Sequence, residues 1–284
     1  MTREIRKVGV IGLGTMGAGI AQVCIEAGFE TVGREVSLEL GERAKERIGG
    51  FLTRKVEKGQ LAQGDRDTAV ERLGITTDIA ELADCDLVIE AAFEDLQVKH
   101  ELFGELERVV GDDAILASNT SALSVTEIAA ACERSERVVG MHFFNPAPLM
   151  KLVEIVRAER TADDVFEAAY AFAHLLGKEP IRCHDTPGFV VNRVLIPVLN
   201  DCIRVLDEAG VTPEDLDTAM RHGAGWPMGP CALVDLVGID IHVHASDALY
   251  EKTREPRMAP PPRLVRMANA GKLGRKSGEG FFKY

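Results

Sequence analysis

The 284-residue sequence predicts an α/β fold, a doubly wound parallel sheet interrupted by an inserted helical hairpin, followed by an all-helical C-terminal domain. Three observations carry this expectation. The β-branched run Lys7–Ile11 ends at Gly12 and is followed by the small and apolar residues of Met16–Ala27, which reads as strand, glycine turn and helix. Further continuous apolar runs alternate with helical patterns, as strands buried on both faces do. Beyond the breaker Asp185–Thr186–Pro187–Gly188, β-branched runs thin out and helix signals dominate.

Taken in order, Gly28 suits a helix C-terminus, and Phe29–Arg34 reads as the second strand. The next strand signal, Gly74–Thr77, lies about 40 residues on, although a crossover needs only ~12. The surplus is read as a hairpin over 37–73. Leu40, Ala44, Ile48, Leu52 and Val56 give Ser37–Lys58 an apolar stripe of spacing four, and a Gly59–Asp67 turn leads to a short helix over Arg66–Leu73. Cys85–Ala92, Ile115–Asn119, Val138–Phe144, Leu152–Val156 and Glu179–Arg182 are the later strands, with a helix over Ala162–Leu176. Thr212–Pro213–Glu214–Asp215 is a helix start, with an N-cap, Pro at the first position and acids in the first turn. The expected domains are 1–185 and 186–284.

Composition narrows the function. With 45 acidic against 33 basic residues the net charge is -12, so a broadly cationic nucleic-acid surface is not expected, and an anionic ligand must meet a local basic site. No run of 18 apolar residues suggests a membrane span, and the N-terminal apolar run is too short for a signal-peptide core. Six scattered cysteines without zinc spacing read as buried, reduced thiols of a cytoplasmic protein, and no metal site is expected. His242 and His244 lack further ligand-type neighbours and read as surface or packing residues.

Gly12–Leu13–Gly14–Thr15–Met16–Gly17 is G-x-G-x-x-G between a strand and a helix, the context of a Rossmann-type dinucleotide site. Gly12 permits the tight turn, Gly14 the approach of a pyrophosphate, Gly17 close helix–strand packing, and the helix N-terminus offers N–H groups to phosphate. Glu35, at the end of the second strand, is placed for ribose hydroxyls and should repel a 2′-phosphate. This favours NAD, although Arg34 beside it does not exclude NADP. Arg43, Arg47, Arg54 and Lys58 fall within about 60° of one another on the inserted helix, either a site for a phosphorylated substrate or basic stems lying along an amphipathic helix. His142 and Glu154 flank the Asn145–Pro148 turn. A chain reversal there would bring carboxylate to imidazole, giving either a general base with its orienter or a hydrogen-bonded structural histidine.

Six segments, Gly12–Gln22, Ser118–Leu123, Met141–Glu154 (MHFFNPAPLMKLVE), Asp185–Arg193 (DTPGFVVNR), Pro227–Pro230 and Gly271–Tyr284, together resemble the L-3-hydroxyacyl-CoA dehydrogenases, especially the short single-function 3-hydroxybutyryl-CoA dehydrogenases. The resemblance runs essentially from end to end. It implies NAD-dependent interconversion of (S)-3-hydroxyacyl-CoA and 3-ketoacyl-CoA, with His142 the catalytic base and Glu154 its partner. It also implies that Ser121 bonds the substrate's 3-oxygen, that Asn192 lies near the acyl group, and that Asn145 belongs to the hydrogen-bonding framework of the cofactor site. Glu94, Lys99 and Asn119 match cofactor-contacting positions, and the hairpin matches a coenzyme A-binding arm with Arg54 and Lys58 in its basic positions. A homodimer built on the helical domain is implied as well, for which Val190–Leu199 and Cys231–Ile241 are apolar enough, though they suit a domain core equally. Three features depart from the family pattern: Glu35 stands for aspartate, Arg54 for lysine, and His242–Pro260 matches poorly. Two other readings are a related oxidoreductase acting on a free hydroxy acid, which shares GLGTMG but uses a lysine where this chain has His142, and a non-catalytic NAD-binding protein.

Overall fold

In the computed structural model, which describes residues 3–284, the chain divides after Thr186 into two compact units. The first carries strands β1 (Lys7–Ile11), β2 (Glu30–Arg34), β3 (Leu73–Thr76), β4 (Leu87–Glu90), β5 (Ile115–Ser118), β6 (Val138–Phe143), β7 (Leu152–Arg157) and β8 (Glu179–His184). They form one sheet in the order β3-β2-β1-β4-β5-β6-β7-β8. Helices α1 (Thr15–Glu26), α2 (Leu38–Glu57), α3 (Gln63–Glu71), α4 (Leu96–Val109), α5 (Val125–Ala129) and α6 (Asp163–Leu175) complete the unit.

Local chemistry accounts for the element ends. The Ser37 hydroxyl accepts the Leu40 N–H at the start of α2, Asp95 accepts Val98 N–H at α4, and Ser124 accepts Glu127 N–H at α5. Val8, Val10, Leu87, Ile89, Ile115 and Ala117 are fully buried, so the central strands can be unbroken apolar runs.

The sheet is mostly parallel, with one reversal at the Asn145–Pro148 turn. The strands from β3 to β6 are parallel in register, but β7 is antiparallel to β6, and β8 returns parallel to β7. A parallel return needs a crossover of a dozen residues or more, and the link from Phe144 to Lys151 is too short for one. The second arm helix also starts at Gln63 rather than Arg66, shortening the turn. Its N-cap is Ala62, without a side-chain bond, so no capping residue marked the start. Cys183 and Cys202 are half-buried rather than buried like the other four thiols.

The second unit holds α7 (Val191–Glu208), α8 (Pro213–Gly223), α9 (Pro230–Val237), α10 (Ile239–Thr253) and α11 (Pro262–Asn269) around Leu199, Ile203, Val234, Ile239 and Leu264. Thr212 caps α8 through the Asp215 N–H, with Pro213 at the first position. Two buried carboxylates hold segments of this unit in place. Asp217 accepts the Cys231 and Ala232 N–H groups at the start of α9, after the Pro227–Pro230 turn, while Asp235 accepts those of Phe281 and Phe282 and the Tyr284 hydroxyl. Val194, Leu236, Val237 and Ile241 are exposed, whereas Ile196, Leu199, Cys231 and Val234 are core, so each apolar stretch is divided between surface and interior. No helix among the described residues is long and apolar enough to cross a membrane.

His242 belongs to the interior of this unit, with Nε2 2.9 Å from Asn200 Oδ1, while Asn200 Nδ2 donates to the Met258 and Arg257 carbonyls. Burial depresses the His242 pKa from 6.5 to about 4. The unfolded chain therefore takes up a proton that the folded chain refuses. This stability contribution is complete above pH 6.5 and is lost as pH falls from there toward 4, on the order of 3 kcal/mol in all. Urea midpoints measured across that window should fall more steeply for the wild type than for His242→Gln.

Candidate active site

The C-terminal ends of the parallel strands carry the site loops, as the crevice of a doubly wound sheet requires. Gly12 has φ +81°, and its N–H donates to Arg34 O at 3.0 Å, closing the turn after β1 on the end of β2. A Cβ on Gly17 would lie 1.8 Å from Gly12 O, so no side chain fits where α1 meets the loop. Space around Gly14 is open, and no side chain caps the N-terminus of α1, which fits a pyrophosphate approaching the backbone at Thr15 and Met16. Glu35 holds the loop, Oε2 accepting Leu13 N–H at 2.8 Å and Oε1 accepting Val36 N–H at 2.7 Å.

A second cluster lies at the ends of β4 and β5. Glu90 and Lys99, 0% and 1% exposed at their side chains, pair at 2.6 Å, and Lys99 Nζ is 3.2 Å from Glu94. Glu90 Oε2 accepts the Ser118 hydroxyl and Oε1 the Ala92 N–H. Glu94 Oε1 accepts the Thr120 hydroxyl at 2.6 Å and the N–H groups of Ser121 and Ala122. Burial acts to raise the Glu94 carboxyl, but Lys99, the Thr120 hydroxyl and the Ser121 N–H outweigh it and hold it below the usual carboxylate range. Three residues beyond Ser121, the Ser124 hydroxyl donates to Asp185, which also accepts the N–H groups of Val125 and Thr126. The Ser121 loop is thus gripped by a carboxylate at each end. Asn119 Oδ1 accepts Phe143 N–H at 2.9 Å, linking β5 to β6 one residue from His142.

His142 on β6 faces Glu154 on β7 directly across the antiparallel register. Nδ1 lies 2.6 Å from Glu154 Oε2, the carboxylate is fully buried, and the imidazole side chain is 8% exposed. A neutral imidazole that donates Nδ1–H to this carboxylate carries its lone pair on Nε2, the arrangement a general base requires. The Phe144 ring packs on the imidazole at 4.5 Å between centroids.

The inserted helix borders a cavity of about 520 Å³, lined among others by Phe51, Arg54, Lys55, Lys58 and, from the turn after β6, Asn145 and Leu149. The Arg54 guanidinium lies 5.5 Å from the Phe51 ring centre. The expected four-residue stripe is shorter in the structure. Arg43 pairs with Glu39 away from the cavity, and Arg47, though it lines the cavity, donates to the Leu13 and Gly14 carbonyls. Residues 43 and 58 share a helix face but, at ~1.5 Å per residue, lie roughly 22 Å apart along the axis.

This arrangement coincides with strong similarity to known proteins. Residues 7–186 match the family model described as 3-hydroxyacyl-CoA dehydrogenase, NAD binding domain, and 188–284 match that of the C-terminal domain. The chain belongs to the 3-hydroxyacyl-CoA dehydrogenase family. It carries that family's NAD-binding domain. A 3-hydroxybutyryl-CoA dehydrogenase of Mycobacterium tuberculosis is 46% identical over all of both chains. The human mitochondrial hydroxyacyl-coenzyme A dehydrogenase is 42% identical, over 99% of this chain and 91% of that one. The crystal structure of (S)-3-hydroxybutyryl-CoA dehydrogenase from Ralstonia eutropha superposes with a TM-score of 0.96 at 39% identity, covering 99% of each chain.

Within this dehydrogenase, the first unit carries the glycine loop with Glu35, the Glu94–Ser121 loop, the His142–Glu154 pair and the Arg54–Lys58 cavity. Asn192 stands in the first turn of α7 in the second unit. Sequence reasoning passed over Glu90 and Lys178 and assigned Asp185 no part. Glu90 had a signal, an acid closing the apolar strand run Leu87–Glu90, where a charge must find a partner. Removing that partner is the direct check. Lys99→Met leaves the fully buried Glu90 without its cation, and a loss of about 3–5 kcal/mol is expected in urea unfolding.

Proposed function

We propose that this chain catalyses the NAD-dependent oxidation of (S)-3-hydroxyacyl-CoA, in particular 3-hydroxybutyryl-CoA, to the 3-ketoacyl-CoA, and the reverse reduction. The observation that carries the proposal is the 2.6 Å contact between His142 and the fully buried Glu154, in a chain of this family from end to end. His142 Nε2 removes the C3 hydroxyl proton during oxidation. Glu154 does not need to be protonated at any stage; its carboxylate fixes the tautomer and stabilises the imidazolium that forms. NAD, held at its pyrophosphate by the glycine loop and the N-terminus of α1, would supply the acceptor for the C3 hydride. The Ser121 hydroxyl stabilises the charge developing on the C3 oxygen, and Glu94 and Lys99 hold its loop. Asn192 is assigned to the acyl group by family resemblance alone.

Arg54 and Lys58 take the phosphates of coenzyme A, with the Phe51 ring beside them offering a stacking surface. Glu35 disfavours a 2′-phosphate, which supports NAD over NADP. The exposed apolar residues of the second unit support a homodimer.

Following NADH and NADPH consumption with acetoacetyl-CoA and with free acetoacetate tests the assignment. Activity confined to the thioester with NADH is expected, and turnover of free acetoacetate alone would favour the free-acid enzymes. His142→Gln should lower kcat by about a hundred- to ten-thousandfold with NADH affinity unchanged; lost NADH binding at normal turnover contradicts the role. Changing Arg54 and Lys58 together to Ala should raise KM for acetoacetyl-CoA about tenfold at low salt, and less as salt screens the wild type. An unaltered KM removes these two residues from the site.

A further inference from the structure

We infer that Lys178 is a positioning residue that sets selectivity for the phosphorylated end of the thioester, by holding in shape the cavity wall formed by the turn after β6. The inference rests on the coenzyme A reading of that cavity. Lys178 lies between α6 and β8, remote in sequence from the arm, and is 7% exposed. Its ammonium donates to Ala147 O at 2.6 Å and to Met150 O at 2.9 Å. Among the described residues it makes no ion pair, and burial drives its pKa below the ordinary lysine range, with Glu26 opposing that shift and Lys55 adding to it.

The turn explains why a cation stands there. The N–H groups of Leu149 and Met150 both go to Pro146 O, at 2.9 and 3.0 Å, leaving the Ala147 and Met150 carbonyls for a donor from outside the turn. Two converging acceptors suit one ammonium. From its other side the turn presses on α1, where a Cβ on Gly19 would come 3.2 Å from both Ala147 Cβ and Pro148 Cδ. Ala147, Pro148 and Leu149 face the cavity that also carries Arg54 and Lys58. A desolvated lysine is a costly way to fill this space if packing were its only purpose. Its two bonds fix the wall's position against the arm helix, which Lys55 in turn ties to α1 through its ion pair with Glu26. None of these contacts is made to His142 or Glu154, which the β6–β7 ladder itself holds opposite each other, so the effect is expected in KM rather than in kcat.

The test compares acetoacetyl-CoA with acetoacetyl-N-acetylcysteamine, a thioester lacking the phosphorylated nucleotide. For Lys178→Met, KM for acetoacetyl-CoA is expected to rise about tenfold, with kcat within about twofold and KM for the truncated thioester unchanged. An unchanged KM for acetoacetyl-CoA, or an equal change with both substrates, overturns the inference. The wild type separates this from failure of the underlying reading. Equal KM values for the two thioesters in the wild type overturn the coenzyme A assignment of the cavity and the Lys178 inference with it, whereas a wild-type difference that Lys178→Met leaves intact overturns the Lys178 inference alone. If Lys178→Met does not fold, Lys178→Gln, shorter and uncharged but still a donor, is read by the same criteria and should show the same split at smaller size.

Discussion

The antiparallel pairing of β6 with β7 is the constraint on which the site depends. It places Glu154, fully buried, opposite His142, and a carboxylate removed from water has to be met by a donor or a cation. The imidazole meets that need, and in doing so its orientation and tautomer are set. Elsewhere in the sheet, from β3 to β6, strands run parallel and their neighbours are separated by long crossovers, so residues twelve apart in sequence do not face each other. A single reversal in an otherwise parallel run lets a short turn bring these two groups together.

The remaining loops are held by a repeated device. Glu35 takes the Leu13 N–H, Glu94 takes those of Ser121 and Ala122, and Asp185 takes those of Val125 and Thr126. Each is a carboxylate just beyond the end of a strand, accepting backbone amides in a charge-assisted bond stronger than its neutral equivalent. A net charge of -12 thus includes acids that shape the site rather than line it. The same excess makes the basic positions selective. Arg43 is neutralised by Glu39, Lys55 by Glu26, and Arg47 is engaged by the glycine loop, which among the described residues leaves Arg54 and Lys58 as the cations of the cavity without such partners. The cavity therefore offers a local positive field within an acidic protein.

Much of this was legible in one dimension. The glycine loop, the acid at the end of β2, the inserted amphipathic helix and the helical second unit follow from local rules of turn geometry, periodicity and capping, and such rules act between residues close in sequence. The pairing of His142 with Glu154 could be framed as a chain reversal, because the turn between them was visible. The start of α3 was misplaced, since no capping side chain marks it, and the basic stripe was overcounted because angular position on a helix ignores distance along its axis.

What the sequence by itself determined is the kind of chemistry at each segment: glycines for phosphate, a histidine and an acid for proton transfer, cations for an anionic substrate. Tertiary structure alone decided which charges are consumed internally. Lys99 between Glu90 and Glu94, Lys178 on two carbonyls and Asp185 on the start of α5 join residues from separate elements. The physical reason is that a buried charge is satisfied by whatever group the fold brings within about 3 Å, and sequence spacing carries no record of that neighbour.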